Sequence, residues 1–275
     1  MSETTFRIVT FIVGASIGSF LNVCISRWPL GLSVVKPRSR CPNCGHEIAW
    51  FENIPILSWL ALRARCRGCG TSISPVYPLV ELVVALGWLA AVVEFGPSLT
   101  ALRVAVFGTL LLGIALTDAE HYVIPDGFTA FGLVWMLVMA VAGVMVGETV
   151  PFADLYDALI GACVGAGAIS IAGWLGEMAF KKEAMGFGDV TLMAMAGAAL
   201  GPGRTLLTVF LGALIGAVVF LAVVFPIGWA NSKRRGTAFD PPLVPFGVFL
   251  APAALLALLW GQSMADWYVH GILGR

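Results

Sequence analysis

Charge is what this 275-residue sequence has least of: 16 Lys and Arg and 16 Asp and Glu make up 12% of the chain, and the formal net charge is zero. A soluble domain averages about 25% charged residues, so a water-exposed surface of ordinary size cannot be covered. Net neutrality removes the electrostatic basis for nucleic-acid binding, so no nucleic-acid partner is expected. No glycine-rich dinucleotide fingerprint follows a strand pattern. Internal repeats and low-complexity tracts are also absent from the sequence.

Apolar residues supply 59% of the chain. They fall into eight runs, at 6–26, 77–95, 99–117, 127–147, 155–178, 188–201, 203–228 and 243–262. Most approach the roughly 20 residues that cross a bilayer as a helix. The sixth is short and ends at the turn-forming Gly201-Pro202-Gly203. The fold class implied is an all-α polytopic membrane protein of about eight transmembrane helices, in contact with membrane lipid. The first run is expected to be a retained anchor, because its basic cluster follows the apolar stretch.

Twelve of the 16 basic residues lie in loops 27–76, 179–187 and 229–242. Loop 148–154, on the other side, has acids and no Lys or Arg. Positive charge inside then predicts cytoplasmic placement of the three basic loops and both termini in the periplasm of a bacterial inner membrane. The expected divisions are a first helix (1–26), a cytoplasmic tetracysteine domain (27–76) and a membrane core (77–275). Small-residue spacings at Gly14/Gly18, Gly161/Gly165 and Gly212/Gly216 fit close helix packing within one chain, with a dimer interface as the other reading.

Cys24 and Cys163 sit in apolar runs and read as packing residues. Cys41, Cys44, Cys66 and Cys69 form two C-x-x-C pairs, each followed by glycine, with 21 residues between them. Two such knuckles present four thiolates in the manner a structural zinc ion requires, with no position left open for water. Four reduced thiols without metal are the plainer alternative. The loop has few large apolar side chains, so a bound ion would supply folding free energy that its core does not. His46 reads as a solvated histidine or as a donor behind the cysteines.

Carboxylates at membrane depth are costly and mark function by default. Asp118 ends the third run, and Asp189 opens the sixth in MGFGDV. The charge bias puts both near the cytoplasmic boundary. Two carboxyls a few ångströms apart do not both ionise readily, so a pair shares a proton and supplies a general base and a general acid. A helix-end acid and a helix N-cap are the structural alternatives for each. Asp126, after Pro125, reads as a cap, and Glu81 is an acid expected to meet a loop arginine or a substrate.

Ordered blocks along the chain resemble the type IV prepilin peptidases: GSFLNVCISRWP (18–29), the tetracysteine stretch 41–70, SPVYPLVEL (74–82), DAEHYVIPD (118–126), GFGDVTLMAMAGAALG (186–201) and VPFGVFLAPAA (244–254). The resemblance implies cleavage of the basic leader of type IV prepilins and type II secretion pseudopilins at the cytoplasmic face. It implies N-methylation of the new amino terminus from S-adenosylmethionine as well. It carries the catalytic aspartates to Asp118 and Asp189, and the metal ligands to Cys41, Cys44, Cys66 and Cys69. Acids such as Glu47, Glu52, Glu120 and Glu183 would attract the leader's basic residues. Departures are Glu120 where the family often has a second Asp, Thr191 where a Lys often follows G-D-V, and Ala184 where a Gly often precedes Met185. A peptidase without methyl transfer, and a metal-stabilised scaffold or transporter, are the competing readings.

Overall fold

The structure, a computed structural model, describes residues 2–182, 185–235 and 244–272. Glu183, Ala184 and the part of loop 229–242 beyond Arg235 lie outside them. Among the described residues ten α-helices run in order: α1 (Glu3–Arg27), α2 (Leu57–Ala61), α3 (Val76–Phe95), α4 (Leu99–His121), α5 (Asp126–Val146), α6 (Leu155–Phe180), α7 (Phe187–Leu200), α8 (Pro202–Val219), α9 (Phe225–Arg235) and α10 (Gly247–Asp266). No strand occurs among the described residues, only the isolated bridges Arg40–Glu47 and Arg65–Ser72. Among the described residues, seven helical stretches are long and apolar enough to cross a membrane, and α7 is a shorter apolar helix. The chain is an all-helical, multi-pass membrane protein.

Helix ends follow local chemistry. Ser2 caps α1 by accepting from the Thr5 amide, and Asp154 caps α6 by accepting from the Asp157 amide. The seventh apolar run does not stop near residue 228. Helix α8 passes through a π-helical turn (Phe220–Val224) directly into α9. Pro226 has no N–H to donate, and a widened turn before it accommodates that loss. Lys233 and Arg234 therefore stand on a helix, with Lys233 over the Trp229 ring at 5.0 Å.

The chain forms two compact units that divide within α4, between Gly113 and Ile114. In the first, α1 packs on α3. A Cβ at Gly14 or Gly18 would stand 2.9 Å from Ala85 Cα or 2.7 Å from Glu81 Cα, so glycine is what permits this approach. In the second unit, α7 is surrounded by α5, α6, α8 and α10. Leu192, Met193, Met195, Ala196, Ala198 and Ala199 are fully buried there. A Cβ at Gly161 would lie 2.2 Å from the Gly197 carbonyl oxygen, and one at Gly165 2.0 Å from that of Met193. Gly212 and Gly216 lie against Leu250 and Phe249. All three glycine pairs thus serve packing inside the chain.

These pairs also set depth. Gly161 faces Gly197 and Gly165 faces Met193, so α6 and α7 run antiparallel. Asp189 then stands level with about residue 169 of α6, roughly 16 Å short of the end of α6. Helix α7 thus begins well short of the level at which α6 ends.

Candidate active site and metal centre

Asp118 lies in the last turn of α4 and is 5% exposed. Neighbouring Ala119 and Glu120 are exposed. Helix α4 closes where the Tyr122 amide bonds the Asp118 carbonyl at 2.9 Å, with Tyr122 in the left-handed region (φ 56). That turn folds the chain back and buries Ile124 and Pro125. Ile124 becomes the wedge of the site. A Cβ on Gly188 would meet Ile124 Cβ at 2.8 Å, and a Cβ on Gly247 would meet Ile124 Cδ1 at 2.9 Å.

The N-terminus of α10 receives the Asp118 carboxylate. The Val248 amide donates to its Oδ2 at 3.2 Å, and a Cβ on Gly247 would stand 2.8 Å from the same oxygen. Free amides and the positive end of the helix dipole favour an anion there. Asp189 is the third residue of α7, half-buried, and near enough to feel the charge of Asp118. It is not the N-cap of α7; that residue is Gly186. Thr191 turns its hydroxyl back to the Gly188 carbonyl at 3.0 Å. Asp126 is exposed at the first position of α5 without a side-chain capping bond; Pro125 holds the cap position.

The four cysteines converge. Their sulfurs all lie within 4.8 Å of one another, with Cys41–Cys69 and Cys44–Cys66 both at 3.9 Å. A tetrahedral zinc site with Zn–S near 2.3 Å has sulfurs about 3.8 Å apart, so the donor set fits zinc. Each knuckle turns on a left-handed glycine, Gly45 (φ 73) and Gly70 (φ 72). The Thr71 hydroxyl, the Thr71 backbone amide and the Asn43 side chain hold the Cys69 thiol down to about 6, which favours the thiolate a metal needs. His46 is not merely solvated: its Nε2 lies 3.1 Å from Glu52 Oε2. The Ala49 amide also bonds that oxygen at 2.9 Å, and Arg67 is 3.6 Å from Oε1. Ala49, then His46 and Arg67, hold the Glu52 carboxyl below the usual range.

Two contacts escaped sequence reasoning. The motif at 244–254 was visible, but not that its first amides hold Asp118. Glu81 meets no loop arginine among the described residues; it accepts the Ile56 amide at 2.7 Å.

Two family profiles match the chain, the bacterial peptidase A24 N-terminal domain over residues 12–95 and the type IV leader peptidase family over 105–221. A prepilin leader peptidase/N-methyltransferase of Myxococcus xanthus (strain DK1622) is 43% identical over 86% of this chain and 68% of its own length. The chain belongs to the type IV leader peptidase family. Proteins of the same name from Aeromonas hydrophila (34% identical) and Pseudomonas aeruginosa (36%) each align over 96% of this chain and 94% of their own length. No solved structure matches. Membership makes the chain an enzyme.

Proposed function

We propose that this protein removes the basic leader of type IV prepilins and type II secretion pseudopilins at the cytoplasmic face of a bacterial inner membrane, then methylates the exposed amino terminus from S-adenosylmethionine. Asp118 and Asp189 form the proteolytic pair. The observation that carries this reading is the Asp118 carboxylate seated on the Val248 amide of α10, with Gly188, the residue before Asp189, packed on the same Ile124 that Gly247 meets. The ionised carboxylate takes a proton from water as the water attacks the scissile carbonyl. The protonated carboxyl polarises that carbonyl and later gives its proton to the leaving amine. The names of the similar proteins support the second activity.

Asp189 lies 12 residues before the turn at Gly201, about 18 Å along a helix axis. A prepilin anchored by its own apolar helix, with its leader in the cytoplasm, would have to draw its scissile bond below the membrane surface to meet Asp189. The tetracysteine segment 27–76 would hold a structural zinc ion through Cys41, Cys44, Cys66 and Cys69. Both termini would face the periplasm.

The test is prepilin processing in membranes, with mass spectrometry of the product's amino terminus. Asp118→Asn and Asp189→Asn are each expected to abolish cleavage, while the wild-type product is cleaved and methylated. Full processing by either variant would remove the pair. A cleaved but unmethylated wild-type product would remove the transferase.

A further inference from the structure

Against the expectation that this loop has few large apolar side chains, the segment between the two knuckles carries several on its outside. Trp50 is 80% exposed, Leu57 65% and Leu60 59%, with Phe51 and Ile54 exposed beside them. On a loop surrounded by water, such a patch would promote association. The placement of the segment indicates different surroundings. The Ile56 amide is bonded to Glu81 Oε2 at 2.7 Å. Glu81 is the sixth residue of α3, about 7.5 Å from the helix start. Helix α3 has 20 residues, about 30 Å, which is the thickness of the hydrocarbon layer. Side chains on a helix lean toward its N-terminus, so the turn at Ile56 stands level with the first turn of α3. On the other helix, Gly18 packs against Glu81 and lies about 13 Å before the end of α1.

Local geometry then aims the patch. Ile56 has φ 64, a costly conformation for a β-branched residue, and it leads directly into α2. Leu57 and Leu60, three residues apart, share one face of α2. Trp59 turns the other way, its Nε1 donating to the Ile73 carbonyl at 3.1 Å. Arg63 and Arg65 follow, both exposed.

We propose that residues 50–60 form an interfacial wedge seated in the lipid bilayer. Leu57 and Leu60 enter the boundary between headgroups and acyl chains, Trp50 lies at headgroup level, and Arg63 and Arg65 face anionic headgroups. Glu81 is the positioning residue that holds the turn at this depth. The tetracysteine segment is thereby fixed to the membrane at a third point, besides its connections to α1 and α3.

The full-length protein in vesicles of phosphatidylethanolamine and phosphatidylglycerol tests this. A nitroxide is attached through p-acetylphenylalanine at Leu57, at Leu60 and, for reference, at exposed Arg38; bound zinc and prepilin processing report on folding. Labels at 57 and 60 are expected to collide with oxygen and be shielded from a water-soluble nickel chelate, with an oxygen-to-nickel ratio several-fold above that at 38. Nickel access equal to that at 38 would overturn the proposal. So would shielding from both reagents, which would mean that protein covers the patch. A label-free check compares tryptophan quenching by brominated lipid in wild type and Trp50→Phe. The fluorescence lost in the variant is expected to be a quenched component, and an unquenched one would count against insertion.

Discussion

Asp118 and Glu120 are two residues apart on one helix and meet opposite surroundings. At about 100° per residue they point to opposite sides of α4, and only Asp118 is buried. The Val248 amide of α10 holds the Asp118 carboxylate in a defined place. Gly247 is part of that fit, because a methyl group there would stand 2.8 Å from the carboxylate. Gly247→Ala is therefore expected to cut the rate of prepilin cleavage at least ten-fold while membrane expression is kept. Time courses of processing would show it, and an unchanged rate would mean that the carboxylate has room to move. Glu52 offers a pH prediction. Its folded carboxyl titrates below the ordinary range, so its stabilising effect is complete above the unfolded value and lost as pH falls through the folded one. Zinc retention after chelator challenge should differ between wild type and Glu52→Gln at neutral pH. The difference should shrink in acid, where both side chains are neutral.

At the scale of elements, α7 explains most of how the site is built. Its 14 residues cannot cross a 30 Å layer, since they extend only about 21 Å. The sequence showed that this run is short; it did not show that its later residues are buried among four other helices while its start stays exposed. That position depends on glycines that let backbones touch. Gly161→Ala places a methyl group 2.2 Å from a carbonyl oxygen, and overpacking of this kind costs about 1–3 kcal/mol. Gly167, on the same helix, has open space around it. Gly167→Ala is expected to be neutral, or stabilising by up to about 1 kcal/mol, since alanine is the better helix former. Thermal unfolding in detergent should rank the pair in that order, with Gly161→Ala the lower. Equal melting temperatures would contradict the close approach of α6 and α7.

On the scale of the whole molecule, the knuckles and the helical bundle are stabilised by different physics. The bundle has buried apolar helices, whereas segment 27–76 has four convergent sulfurs and few buried side chains. Zinc binding would therefore be the main folding free energy of that segment. Purified protein is expected to carry about one zinc ion per chain, and Cys44→Ser to lose it. Chelation should open the segment to protease while leaving the helices of the second unit intact. Mass spectrometry of the fragments would locate the cuts. A protease-resistant loop without metal would mean that hydrogen bonds alone hold the knuckles.

The sequence by itself determined the solvent of this protein, its helical class and its four-cysteine cluster. Runs of about 20 apolar residues have no stable place in water, and paired C-x-x-C motifs place thiols at fixed short range; both signals are local along the chain. Tertiary structure alone decided which side chains meet. That Asp118 rests on α10 amides 130 residues away depends on how helices stack. So does the bond of Glu81 to the Ile56 amide, which no arginine replaces among the described residues. Helix stacking in lipid is set by backbone contact at glycines and by the few polar groups that must find partners; glycine spacings mark the packing faces, but not which helix each face will meet.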